Sequence, residues 1–116
     1  MKGYFKFGSP IIKISLEGEE IPFLLDTGFN GHTMLPFSII KKLKLKQIGF
    51  SDYITATGDY QTTQVYLCKI LFFDKEIDIP VLSTSTEFTL AGMGLFHDCR
   101  LVIERSKNIV EVTQEN

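Results

Sequence analysis

The acid in this sequence whose neighbours suggest chemistry is Asp26. It ends the apolar run Phe23-Leu24-Leu25 and is followed at once by Thr27 and Gly28. A carboxylate at the end of a buried strand is costly unless it is paired, hydrogen-bonded or partly protonated, so its placement asks for a partner. Gly28 permits a positive φ or close approach by another backbone, and Thr27 offers a short hydroxyl that can lock a loop. The same triplet also suits an ordinary turn in which Asp26 bonds the backbone two residues on. Taken alone, it does not separate the two.

Other chemistries lack their parts. Phosphoryl transfer would want a second acid or a phosphate-cradling lysine motif, and neither Asp-x-Asp nor Gly-x-x-x-x-Gly-Lys occurs. His32 and His97 are the two histidines, and there is no His-Glu-x-x-His and no Gly-x-Ser-x-Gly, which removes metalloprotease and serine-hydrolase schemes. His32 reads as a loop or surface residue and His97, beside Asp98, as a helix-end residue; neither is assigned a role. Cys68 and Cys99 are too few and too far apart for a structural zinc site. A disulfide between them stays open but is not indicated; buried reduced thiols are the favoured reading, which points to a reducing compartment. No metal and no organic cofactor is expected.

The elements that must position Asp26 are mostly strands. Short apolar or alternating runs recur with turn signals about every ten residues. Ile11 to Leu16 and Ile21 to Leu25 form a hairpin through Glu17-Gly18-Glu19-Glu20, its second arm ending at Asp26. Ser38 to Leu43 is the helix candidate, approached by Pro36 and carrying lysines towards its C-terminal end. Tyr53 to Thr57 and Gln61 to Phe73 flank Gly58-Asp59, with a polar tip of small residues from Thr55 to Asp59. Leu71 to Phe73 turns through Asp74-Lys75 into Ile77 to Leu82. Thr89 to His97 holds two glycines in an apolar segment, which predicts either close backbone approach or a sharp strand exit, followed by a short helical turn. Leu101 to Ile103 and Ile109 to Val112 form the last hairpin, and only the last few residues read as free.

At 116 residues and 44% hydrophobic positions, ten of them phenylalanine, the chain suffices for one domain over 1–116. The formal net charge of −2 and the scatter of its lysines, apart from Lys41, Lys42, Lys44 and Lys46, give no basic face for nucleic acid. The first apolar run is broken by Gly8, Ser9, Pro10 and Lys13, so neither a signal peptide nor a membrane span is expected, and the default is a soluble cytoplasmic protein.

Three features in order carry a resemblance: Leu24-Leu25-Asp26-Thr27-Gly28, a hairpin with its tip around Gly58, and the apolar pair before a glycine at Leu90-Ala91-Gly92. Together they resemble the retropepsin-type aspartic proteases over nearly the whole chain. The extended form Asp26-Thr27-Gly28-Phe29-Asn30-Gly31 is similar to prokaryotic single-domain members. The resemblance implies a mainly β, closed barrel-like acid-protease fold with one or two short helices. It implies that Asp26 is the catalytic aspartate, Thr27 the hydroxyl tying two active-site loops together, and Gly28 the residue permitting their close approach. The Gly58 hairpin becomes a flap, with Phe29, Asn30, Thr57, Gly58 and Asp59 binding substrate. Leu90, Ala91 and Gly92 become the support that packs beneath the catalytic strand. Two departures stand out: Phe29 is bulky where retroviral enzymes have a small residue, and Ala91 is smaller than the usual branched one.

Aspartic protease chemistry needs two carboxylates sharing a proton. This chain has one Asp-Thr-Gly, because Asp52, Asp59, Asp74, Asp78 and Asp98 are followed by Tyr, Tyr, Lys, Ile and Cys. An enzyme of this kind would take its second Asp26 from a second copy across a two-fold axis. Its substrate would be a peptide or protein added as a strand, with apolar pockets to which Phe29, Tyr53 and Tyr60 are candidates, ordinary barrel packing being an equal reading of each. Three accounts follow: a homodimeric aspartic endopeptidase of the cytoplasm with apolar-leaning peptide specificity, a retropepsin-like binding or dimerisation module without useful turnover, and an unrelated small β domain with a coincidental triplet.

Overall fold

The computed structural model describes residues 1–54 and 57–115. Ten strands occur among them: β1 (Tyr4–Lys6), β2 (Ser9–Leu16), β3 (Glu19–Asp26), β4 (Thr33–Pro36), β5 (Lys46–Ile54), β6 (Tyr60–Phe72), β7 (Lys75–Thr84), β8 (Leu90–Gly92), β9 (Cys99–Glu104) and β10 (Ile109–Gln114). One helix, α1 (Phe37–Lys42), sits between β4 and β5, and a single 3-10 turn, Arg105–Lys107, joins β9 to β10.

The tight turns explain the hairpins. Glu17 and Gly18 both take positive φ, as do Phe73 and Asp74, and such a pair matches the right-handed twist of the strands it joins. The first hairpin pairs Ile14 with Ile21, as expected from its alternation. Its turn is only Glu17-Gly18, and Glu19 and Glu20 already belong to β3. In the later hairpin the turning pair is Phe73-Asp74 rather than Asp74-Lys75, with Phe72 facing Lys75.

Eight strands form one sheet in the order β1-β2-β3-β8-β4-β7-β6-β5, and β2 also pairs with β6 through Ser15–Leu71 and Leu16–Ile70. That last pairing joins β2, β3, β8, β4, β7 and β6 into a closed ring, so the mainly β, barrel-like architecture expected from the sequence is present. Side chains alternate along each wall. Ile12, Ile14 and Leu16 of β2, Phe23 and Leu25 of β3, Cys68 and Ile70 of β6, and Val81 of β7 all point into one core. A smaller cluster of Met34, Val65 and Leu82 lies apart, with Phe29, Tyr53 and Leu90 packed on it.

Several expectations need correction. The first arm of the Gly58 hairpin begins at Lys46, not Tyr53, and contains a bulge between Gln47 and Gly49. Thr55 and Ala56 of its expected tip lie outside the described residues. Thr33–Pro36 forms a strand that the sequence did not announce, because all four residues are buried and no alternation marks them. The helix spans Phe37–Lys42, one residue earlier than expected, with Ile40 buried. The segment after Gly92 makes successive turns, with Leu95 N–H donating to Gly92 O and Phe96 N–H to Met93 O, but no helix. Gln114 and Glu115 are held rather than free: Gln114 pairs with Cys99, and Glu115 N–H donates to Asp98 O at 2.8 Å, while Asn116 lies outside the described residues.

Candidate active site

Asp26 is the last residue of β3 and is half-buried. Its strand pairs in parallel with β8, in the register Leu24–Leu90, Leu25–Ala91 and Asp26–Gly92. Leu90, Ala91 and Gly92 therefore lie alongside the strand that ends at Asp26 rather than beneath it, and the small Ala91 is fully enclosed there, at 1% exposure.

The loop after Asp26 is fastened to the residues after Ala91 by three backbone bonds. Gly92 N–H donates to His32 O at 2.9 Å, Met93 N–H to Phe29 O at 2.8 Å, and Gly94 N–H to Gly31 O at 3.1 Å. Such closeness requires glycine. A Cβ at Gly92 would stand 2.4 Å from Gly31 O and 2.6 Å from Phe29 O, both backbone atoms. Of the two alternatives the glycines offered, close backbone approach is present around Gly92 and Gly94.

Gly28 N–H donates to Asp26 Oδ1 at 3.0 Å, the bond two residues on that an aspartate turn would make. The other carboxylate oxygen makes no hydrogen bond within the described chain. Thr27 is exposed and its hydroxyl likewise finds no partner among the described residues.

A groove of about 540 Å³ opens beside this loop, between residues 28–32 on one wall and the β5–β6 hairpin on the other, with Pro80 and Leu82 of β7 below. Phe29 and Asn30 line it, as do Tyr53 and Tyr60 from the hairpin. Thr57, Gly58 and Asp59 do not. They lie at the hairpin end, where Thr57 Oγ1 donates to Asp59 Oδ2 at 3.0 Å and Gly58 has a φ of +87°. His32, which carried no assignment from the sequence, also stands on the groove wall, and burial lowers its pKa from the ordinary histidine value. Val65 and Leu82 were missed as lining because their strands read as core, and strand alternation alone does not show which core residues reach a groove.

No family model matches the sequence, and no curated protein does. Solved structures do match. The protease of EIAV in complex with the inhibitor HBY-793 superposes with a TM-score of 0.69 at 19% identity, covering 86% of this chain and 98% of that one. A retropepsin-like aspartic protease from Rickettsia conorii superposes with a TM-score of 0.67 at 22% identity, covering 94% and 85%. The simian foamy virus protease gives a TM-score of 0.53 at 16% identity over 71% of this chain.

The fold is retropepsin-like. Within this retropepsin-like frame, the elements that the sequence singled out converge in space: Asp26 ends β3, Gly92 ends the adjoining β8, and the β5–β6 hairpin faces the loop between them. Among the described residues no group of three or more His, Cys, Asp or Glu stands close enough to hold a metal, and no helix is long and apolar enough to cross a membrane.

Proposed function

We propose that the chain is an aspartic endopeptidase that works as a homodimer, with one Asp26 from each copy. The observation that carries this reading is the placement of Asp26. It ends a strand of a retropepsin-like barrel, beside a groove, with one carboxylate oxygen held by Gly28 and the other without a hydrogen bond among the described residues.

In the proposed reaction two Asp26 carboxyls share one proton, because like charges a few ångströms apart cannot both ionise. The ionised member takes a proton from water as the oxygen attacks the scissile carbonyl carbon. The protonated member gives its proton to the carbonyl oxygen. Collapse of the tetrahedral intermediate then breaks the C–N bond, with a proton delivered to the leaving nitrogen, and one water has been consumed. Gly28 and Gly92 allow the loops to close around the pair, Thr27 supplies an exposed hydroxyl to reach across to the partner copy, and the β5–β6 hairpin covers the peptide. Leu90, Ala91 and Gly92 hold the Asp26 strand end in place. Phe29 and Asn30 line the substrate groove, and Thr57, Gly58 and Asp59 close over it from the hairpin end.

The test is mass-spectrometric detection of cleavage in a diverse peptide mixture over about pH 4 to 7, where a shared-proton pair is active. Wild type is expected to cut and Asp26→Asn, nearly isosteric, to lose at least about 10³-fold of the rate while remaining folded. Undiminished cutting by a clean Asp26→Asn preparation would remove Asp26 from the mechanism. Peptide binding without any cleavage would favour a binding or dimerisation module on the same fold.

A further inference from the structure

We propose that the paired hydroxyls of Thr63 and Ser83 are the clasp of a hinge on which the β5–β6 hairpin swings away from the groove. That a peptide enters beneath the hairpin rests on the peptidase reading above, whereas the hinge stands without it.

Both arms of the hairpin change character at the same level. On β6 the ladder with β7 ends at Val65–Leu82, and from Gln64 back to Tyr60 the ladder partner among the described residues is β5 alone. β7 stays with the barrel, paired to β4 through Leu35–Ser83 and Pro36–Thr84. On β5 the bulge between Gln47 and Gly49 lies opposite Tyr66 and Val65. A bulge bends the strand that carries it, so the two arms share a line about which the hairpin can turn. Beyond that line the arms are tied to each other. The ladder from Gly49–Val65 to Ile54–Tyr60 joins them, and Thr62 Oγ1 donates to Asp52 Oδ1 at 2.6 Å. The hairpin therefore moves as one piece.

The clasp crosses the line of turning. Thr63 Oγ1 donates to Ser83 O at 2.8 Å and stands 2.8 Å from Ser83 Oγ, whose hydrogen it can accept. The threonine hydroxyl is thus used both as donor and as acceptor, in a partly buried setting where the backbone ladder has run out. With the clasp made, Tyr53 packs on the cluster of Met34, Val65 and Leu82. Met34 and Leu82 belong to the barrel and Tyr53 to the hairpin, so swinging parts them and uncovers the cluster. Hydrogen bonds of this kind shift an equilibrium by roughly two- to tenfold each, weak enough for the hairpin to open and strong enough for their loss to register. Thr63 and Ser83 are positioning residues: they set how often the groove is open.

The test needs no peptide. The chain has three methionines, and Met34, 6% exposed, is the one beneath the hairpin. With 13C in the methionine methyls, broadening by a soluble gadolinium chelate reports how far each methyl is uncovered. Thr63→Val, nearly isosteric, removes both bonds and is expected to raise the broadening of Met34 at least about threefold over wild type, with Met1 unchanged. Thr63→Ser keeps the hydroxyl and is expected to hold Met34 within about 1.5-fold of wild type. Amide exchange at Cys68 and Ile70 is expected to stay at the wild-type rate, because the barrel is not loosened. Met34 no more broadened in folded Thr63→Val, a Thr63→Ser that behaves like Thr63→Val, or exchange at Cys68 and Ile70 accelerated by the same factor overturns the inference. Where Thr63→Val does not fold, Ser83→Ala, which spares the bond to the Ser83 carbonyl, is read instead; a rise of about twofold is expected and no rise overturns the clasp. Failure of the peptidase reading leaves these outcomes untouched, and a hairpin that does not swing on this clasp leaves the cleavage assay to decide that reading alone.

Discussion

At the scale of single residues, the glycines constrain the site most tightly. Gly92→Ala would drive a methyl into two backbone carbonyls and the Phe29 ring, none of which yields cheaply. Such a substitution is expected to cost about 1–3 kcal/mol or more, read as a lowered denaturation midpoint, and to displace the Asp26 loop through the lost Gly92–His32 bond. A midpoint within error of wild type would mean that the strands can part without penalty. Cys68 makes a different kind of prediction. Its thiol is fully buried, and burial, assisted by the charges of Glu17 and Asp78, pushes its pKa up from 9.0 to about 12. The unfolded chain releases that proton near 9.0 while the folded chain keeps it, so stability falls as pH rises from about 9 towards 12. Unfolding midpoints measured across this window should fall more steeply for wild type than for Cys68→Ala, and parallel slopes would refute the assignment. Much of the site was legible at this scale. Asp26, Gly28 and Gly92 could be singled out because acids and glycines are rare inside apolar runs, whereas nothing about His32 in the sequence distinguishes a groove wall from a surface loop.

At the scale of elements, legibility followed turn chemistry and alternation. The β2–β3 and β6–β7 hairpins were readable because a pair of turn residues separates two alternating arms. The short β4 was not, since a strand buried on all sides carries no period. β5 was misjudged for the opposite reason. Ile48, Phe50 and Ile54 point outwards at 51%, 70% and 59% exposure while Gly49, Ser51 and Tyr53 turn inwards, and the bulge between Gln47 and Gly49 shifts the phase. An apolar face turned to solvent on an edge strand does not look like core pairing. The same features predict its behaviour: among the described residues β5 pairs with β6 alone, and the part of β6 before Val65 lacks the second strand neighbour that β7 gives the rest of it. Hydrogen-bonded amides among Tyr53, Ile54, Tyr60 and Gln61 are expected to exchange at least about tenfold faster than those of Cys68 and Ile70, which lie in the closed ring. Equal protection, measured by hydrogen exchange, would contradict a hairpin able to open over a substrate.

At the scale of the whole molecule, the barrel and the proposed chemistry make different demands. The ring of strands closes within one chain through β2 and β6. The proposed site is not completed within one chain, because a water held between two carboxyls needs two of them and the chain offers Asp26 alone in the required triplet. Its exposed Thr27, and the Asp26 carboxylate oxygen that has no hydrogen bond among the described residues, are the groups that the proposed second copy would take up. A dimer of this kind has a consequence that a self-sufficient catalyst lacks. When wild type is mixed with an equal amount of Asp26→Asn and the subunits exchange, random pairing leaves about a quarter of the dimers with both aspartates. Half of the wild-type chains then sit in mixed dimers with one carboxyl, so activity should fall to about half of that given by the same wild-type concentration alone, and further as the variant is increased. Dilution should likewise lower specific activity below the dimer dissociation constant. Activity indifferent both to added Asp26→Asn and to dilution would show that a single chain carries the reaction, and the two-aspartate scheme would have to be abandoned.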